Sequence, residues 1–311
     1  MRLRLGIGDD AAIIAVSRRS DWVLSCDAFL EGVHFLTNVH PADSIGYKSL
    51  VRAASDLAAM GATPRLFLMT LALPSARTGA WLDQFLRGMG RAARMLGIRL
   101  AGGDTSQSVT ISISITVLGE TPPGRAVTRS GARAGDIIYV TGKLGRAQLG
   151  LELILNGRGR QRRYARLVRP HLYPRIRLSL GKWLAEHRVA SSMMDLSDGL
   201  STDLARLTAT SRVGARVWAE SIPRVTVPST LAKQLPGIKP DPLQMALHSG
   251  EDYELLFTLP RRKAKLLSRA PDFRELTAIG EITRAKQVML VGADGKAKAL
   301  LPRGWDSFRK H

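Results

Sequence analysis

Carboxylates are scarce in this chain, 26 Asp and Glu against 46 Lys and Arg, yet several gather in short glycine-flanked clusters. These are Gly8-Asp9-Asp10, Gly102-Gly103-Asp104-Thr105, Asp195-Leu196-Ser197-Asp198-Gly199 and Gly250-Glu251-Asp252. Each lies where an apolar, strand-like run ends, beside glycines that let the backbone approach a ligand closely. Mg²⁺ takes hard oxygen ligands and is shared between one or two carboxylates and substrate phosphates, so this placement suggests Mg²⁺ and a nucleotide.

The clusters differ in how much they say alone. Asp195 ends the apolar run of Met193 and Met194, where no local role accounts for it. Asp198 stands where an N-cap would open a helix, and Ser197 between them offers a hydroxyl and an amide suited to an anion. Asp104 follows two glycines after a predicted strand, where amides can cradle phosphate while the carboxylate holds a metal. By their local sequence, Asp9 and Asp10 read as turn residues and Asp27 as a solvated strand end. Asp56, with Lys48 and Arg52 at i−8 and i−4, reads as a rung of a surface ion-pair ladder. No other motif competes. Gly142-Lys143-Leu144 fails the phosphate-loop pattern, and Gly88-Met89-Gly90 lies within a helical pattern. The histidines lack zinc-ligand spacing, and Cys26, embedded in a strand, reads as structural.

The bulk properties set limits. The hydrophobic share of 45% and the charged share of 23% are those of a globular protein, and 311 residues suit about two domains. A single cysteine excludes an intramolecular disulfide and fits a reducing compartment. No membrane span or signal-peptide core is visible, so a cytoplasmic protein is expected. The net charge of +20 has one dense focus, Gly157–Arg166, with a single aromatic, Tyr164. Without interleaved aromatics or a zinc-finger pattern it reads as a solvated basic face, and no nucleic-acid partner is expected.

The positioning elements follow from periodicity. Strands are predicted at Ala12–Val16, Trp22–Asp27, Arg65–Leu73, Ile98–Ala101 and Val109–Leu118, with helices near Ala42–Met60 and Ala80–Leu96. Thr121-Pro122-Pro123-Gly124 breaks the chain, giving domains 1–123 and 124–311. The second half predicts strands at Asp136–Thr141, Ala190–Leu196 and Tyr253–Leu259. Its helices fall near Gly145–Leu155, Arg175–His187, Gly199–Thr210 and Pro242–His248. A terminal meander runs through Leu276–Ile282, Val288–Val291 and Ala297–Leu301. Without a regular βαβ repeat, the fold class is α+β or mixed α/β in two domains.

Taken in order, the motifs resemble the thiamine-monophosphate kinase family, of the superfamily that includes aminoimidazole ribonucleotide synthetase. They are GIGDDAA (6–12), LEGVHF (30–35), SDLAAMGATP (55–64), GGDT (102–105), TRSGARAGDIIYVTG (128–142), MDLSDGL (194–200), SGEDYELLF (249–257) and the terminal GWDSF (304–308). The resemblance implies transfer of phosphate from ATP to thiamine monophosphate, with several Mg²⁺ ions offsetting the repulsion of two anions. It places metal at Asp10, Asp27, Asp56, Asp104, Asp195 and Asp198, with Ser25 and Cys26 at positions of further oxygen ligands. Asp104 and Asp198 are the expected catalytic carboxylates. Gly103, Asp104, Arg129 and Ser197 would meet the nucleotide, and His34, Glu251 and Trp305 the thiamine phosphate. It also implies a homodimer whose N-terminal sheets share a barrel, and a sandwich-like α/β C-terminal domain. The chain departs from the pattern in three places: five residues precede GIGDD where relatives carry a strand and helix, Cys26 replaces a hydroxyl residue, and Ala53 replaces an Asn.

Overall fold

The computed structural model describes residues 2–16, 19–229, 231 and 240–308. Its first half builds a six-stranded sheet from β1 (Arg2–Leu5), β2 (Ala12–Ala15), β3 (Asp21–Leu30), β4 (Thr63–Leu73), β5 (Arg99–Gln107) and β6 (Ser112–Thr121), in the order β1-β2-β3-β6-β4-β5. All neighbours are antiparallel except β4 and β5. The alternation of β6 sets the two faces: Ile113, Ile115 and Val117 are buried, while Ser112, Ser114 and Thr116 face the other way.

Two helices cover the apolar face, α1 (Ala42–Ala59) and α2 (Ala80–Leu96). Leu50, Val51 and Leu57 of α1 are fully buried with Phe67 and Phe85, each side chain contributing ~1.5–3 kcal/mol by leaving water. The helices meet backbone to backbone. A Cβ added to Gly46 would lie 2.0 Å from the Phe85 carbonyl oxygen, and one added to Gly88 would lie 1.8 Å from that of Asp43. At the far edge of the sheet, β5 is exposed along its whole length.

The second half forms a seven-stranded sheet from β7 (Asp136–Thr141), β8 (Ser192–Leu196), β9 (Gly214–Trp218), β10 (Glu254–Pro260), β11 (Leu276–Thr283), β12 (Val288–Val291) and β13 (Ala297–Ala299). The order is β13-β12-β9-β11-β7-β10-β8. Its helices are α3 (Arg146–Leu155), α4 (Ala165–Leu172), α5 (Leu178–Glu186), α6 (Leu200–Ser211) and α7 (Pro242–His248). Both faces of β10 are covered, which is why it reads as a continuous apolar run. Leu256 packs with Leu200 and Leu204 of α6, whereas Leu255, Phe257 and Leu259 pack with Leu180 and Leu184 of α5.

The halves meet along α1. Its Ala58 and Ala59 join the α5 cluster, and a Cβ on Gly181 would lie 2.0 Å from the Ala58 carbonyl oxygen. That seam brings the carboxyl end of α1 against β8.

Most expected elements form within a few residues of their predicted bounds, with three informative differences. Val109 is almost fully exposed in a turn, and β6 begins only at Ser112. The strand expected at Ile98–Ala101 runs on to Gln107, so Gly102-Gly103-Asp104 lies inside it and not beyond its end. Helix α4 emerges directly from the basic run, carrying an internal Pro170 that masked its helical period. Strands β1 and β9 lie outside the expected elements; alternating Arg and Leu leaves β1 almost wholly exposed, and Arg216 interrupts the apolar residues of β9.

Candidate active site

Three carboxylates from three elements converge at the seam. Asp10 comes from the turn before β2, Asp56 from the last turns of α1, and Asp195 from β8; one oxygen of each lies within 4.8 Å of the others. Burial pushes the Asp10 carboxyl up to about 8, despite the opposing effect of Arg129. Burial also raises Asp195 to about 6, and raises Asp56 well above its ordinary value with help from the charges of Asp195 and Asp27. Asp10 Oδ2 is buried without a hydrogen-bond partner. Buried like charges this close strongly favour a cation between them, and an all-oxygen donor set suits Mg²⁺. The residues therefore fit a divalent ion.

Hydroxyls steady the cluster. Ser25 on β3 donates to Asp56. Ser55 donates to Asp195 Oδ2 across the domain seam at 2.7 Å, and Ser197 to Oδ1 at 3.3 Å. The ion-pair ladder expected on α1 is absent: Arg52 Nε binds Asp27 at 3.2 Å and Lys48 Nζ binds Glu251 at 2.8 Å, leaving Asp56 to the cluster. Arg129 Nη2 donates to Asp10 Oδ1 at 2.7 Å. Asp9, expected to be a plain turn residue, accepts the Arg129 amide at 3.0 and 3.1 Å, so it ties the interdomain loop to this turn.

Asp198 does not cap α6. Gly199 holds the N-cap position at φ +105°, and Asp203 accepts the amides of Asp198 and Gly199 at 3.1 and 3.0 Å. The Asp198 carboxylate is free of that task and pairs with Arg206 at the cleft. Its carbonyl accepts the Trp305 amide at 2.9 Å, which anchors the C-terminal segment over the site.

The cluster opens into a cleft of about 730 Å³ lined from both domains, by Ser25, Asp27, His34 and Arg52 on one side and Arg129, Ser197, Asp198, Glu251 and Trp305 on the other. His34 and Trp305 have ring centroids 6.4 Å apart. Burial, reinforced by Arg52, lowers His34 to about 4, so it is neutral and its Nδ1 accepts the Leu30 amide at 3.0 Å. Glu251 and Tyr253 hold φ of +68° and +50°, uncommon for residues with side chains and typical of functional sites. Although burial raises the Glu251 carboxyl, the greater combined effect of Lys48, His171 and Arg52 brings it down to about 2. Sequence reasoning assigned no role to His40, His171 or Arg206, which line the same cleft. The scattered histidines fit no motif, so only proximity could reveal them.

Three expected site residues are not brought to the cluster. Ser25 and Asp27 share the helix-facing side of β3, so the intervening Cys26 side chain points to the opposite face. There it contacts the hydroxyls of Ser114 and Thr116 at 3.5 and 3.3 Å, leaving its backbone alone at the cleft. Asp104 pairs in register with Thr70, itself opposite Ser114, and so lies on that same outer face, where it accepts from Ser106 at 3.0 Å. Gly103 fits beside Met69, where a Cβ would lie 1.8 Å from the carbonyl oxygen. Asp252, part of the Gly250–Asp252 cluster, turns from the cleft to accept the amides of Gly145, just before α3, and Ala147, in its first turn, at 2.6 and 3.1 Å.

Comparison with known proteins agrees with this architecture. Residues 8–121 match the AIR synthase related protein N-terminal domain and residues 133–292 its C-terminal domain. The thiamine-monophosphate kinase of Escherichia coli strain K12 is 36% identical, covering 98% of this chain and 92% of its own. A structure of AaThiL complexed with AMPPCP and TMP superposes with a TM-score of 0.84 at 33% identity, covering 96% of this chain and 91% of that one. The thiamine monophosphate kinase of Aquifex aeolicus gives a TM-score of 0.80 at 32% identity, covering 93% and 92%. With both domains matched and relatives above 30% identity spanning nearly all of it, the chain belongs to the thiamine-monophosphate kinase family of AIR-synthase-related proteins.

Proposed function

We propose that this protein is an ATP-dependent kinase that phosphorylates thiamine monophosphate to thiamine diphosphate by direct in-line transfer. The observation that carries the reading is the convergence of Asp10, Asp56 and Asp195 at a cleft shared by both domains. Mg²⁺ bound there would offset the negative charge of donor and acceptor phosphates. Asp10, Asp56 and Asp195 are the residues to hold it, with Asp27, Asp198 and the Ser25 hydroxyl close by in the same cleft.

The remaining groups divide by chemistry. Arg129 and Ser197 supply a guanidinium, a hydroxyl and an amide to phosphate oxygens. Trp305 offers an aromatic face to the cationic thiazolium, and the ionised Glu251 complements that cation. Neutral His34 packs beside Trp305 without adding positive charge. The acceptor phosphate is already ionised, so no side-chain base and no phosphoenzyme are required. We propose further that two copies pair through their N-terminal sheets, covering the exposed β5, and that Gly103 and Asp104 act in that assembly. Among the described residues no helix is long and apolar enough to cross a membrane, in keeping with the cytoplasmic site of action we propose.

The direct test is a coupled assay with thiamine monophosphate, ATP and a Mg²⁺ titration. Thiamine diphosphate should form in a metal-dependent manner, and folded protein giving none at saturating substrate would sink the proposal. Asp198→Asn should lower kcat by roughly 10²–10³-fold, the scale of losing one transition-state charge partner, with the circular dichroism unchanged.

A further inference from the structure

Behind Glu251 lies a row of buried groups that phosphoryl transfer itself does not use. Lys48 is 3% exposed, His40 7% and His171 1%. His40 Nε2 lies 3.0 Å from His171 Nε2, and His171 Nδ1 lies 3.4 Å from Glu251 Oε2. Lys48 Nζ reaches the same oxygen at 2.8 Å. Both tethers therefore hold Oε2, while Oε1 makes no hydrogen bond among the described residues.

Two neutral imidazoles in contact share one proton between their facing nitrogens, so the direction of the row is set at its ends. His40 Nδ1 lies 3.1 Å from both the amide nitrogen and the carbonyl oxygen of Leu36, so this end alone permits either direction. The Glu251 end decides. His171 Nδ1 is buried without a hydrogen bond of good geometry, and the polar atom it faces is a carboxylate oxygen 3.4 Å away. A lone pair there would be repelled, whereas an N–H would be attracted. Protonated Nδ1 on His171 leaves its Nε2 to accept from His40 Nε2–H, and His40 Nδ1 then accepts the Leu36 amide. Burial, with Lys48 as the next cause, lowers the pKa of both rings, His171 to about 3, so neither carries a charge.

We infer that His40 and His171 are positioning residues for substrate: a one-directional chain, Leu36 N–H to His40 to His171 to Glu251, fixes the carboxylate by Oε2 and presents Oε1 to an N–H donor on the ligand. The ligand class is a cationic or amine-bearing heterocycle. For the thiamine phosphate reading, on which the kinetic part of this inference rests, the donor is the amino group of the substrate's pyrimidine. The chain also links the segment carrying His34 to Glu251, so both substrate-facing residues are set by one network.

The imidazole ¹⁵N shifts of the full-length protein test the chain directly. His171 should be protonated at Nδ1 and His40 at Nε2; the reverse pair, or a charged ring at pH 7.5, overturns it. In kinetics, His171→Phe should raise KM for thiamine monophosphate by roughly tenfold or more, the scale of one hydrogen bond to a charged group, while KM for ATP changes less than about twofold. His171→Asn, which keeps a donor near the Nδ1 position, should recover most of that loss. Equal changes in both KM values, or none, would show a merely structural role. Should His171→Phe fail to fold, the shifts of the wild-type rings still decide. A wild-type protein inactive on thiamine monophosphate would refute the functional reading while leaving the tautomer result to stand or fall alone.

Discussion

Replacing Asp195 by Asn should make the metal-free protein more stable at alkaline pH while removing its response to Mg²⁺. Burial raises the Asp195 carboxyl from 3.8 to about 6, with Ser55 opposing and Asp27 adding to the shift. About two units at about 1.4 kcal/mol each gives ~3 kcal/mol of strain once the group is ionised. Because the folded-state value is raised, the folded protein holds the proton more tightly than the unfolded chain. The penalty is therefore absent below about pH 4, grows between about 4 and 6, and is fully present above that window. An Asn keeps an acceptor for the 2.7 Å Ser55 bond but carries no charge. In EDTA at pH 8 it should gain ~1–3 kcal/mol in urea denaturation, and the gain should vanish as the pH falls to about 4. Adding Mg²⁺ at about 100 times its dissociation constant should stabilise the wild type by ~2.7 kcal/mol and the variant by much less. A variant no more stable than wild type at pH 8 in EDTA, or a gain that does not depend on pH, would refute the picture of three repelling buried carboxylates.

Two further outcomes follow from the packing around the site. Gly88→Ala forces a Cβ to within 1.8 Å of the Asp43 carbonyl oxygen, so α1 and α2 must separate. A loss of ~1–3 kcal/mol or more is expected by thermal or urea melting, and an unchanged midpoint would contradict the backbone contact. Asp252→Ala removes the acceptor of the Gly145 and Ala147 amides and should cost ~1 kcal/mol in the same melts, while Asp252→Asn should cost less. If Asp252→Ala instead left stability intact and abolished turnover, Asp252 would belong to the cleft after all.

Local pattern reached most of the secondary structure because strong periodicities survive in isolation. The alternation of Ile113, Ile115 and Val117 marks β6, and the apolar side of Ala42–Ala59 marks α1. It failed where the deciding contact was remote. Pro170 hides α4, whose buried Val168 and His171 are held by packing and not by propensity. Gly88 breaks no helix but lets one helix touch another. Asp198 looks like a cap, yet Asp203 captures the amides.

The acidic clusters show the same division. Their residue types and glycine neighbours, together with the ordered motifs, were enough to indicate oxygen ligands for a cation, a nucleotide partner and the family, because chemistry of that kind restricts which side chains can serve. Which carboxylates meet was beyond the sequence. Asp56 joins the cluster because Arg52 and Lys48 are drawn to Asp27 and Glu251. Cys26 and Asp104 fall on the outer face because a strand alternates its side chains and β5 continues through the glycines. Asp10, Asp56 and Asp195 lie far apart in the chain, and only the packing of α1 against β8 across the domain seam brings their oxygens within 4.8 Å.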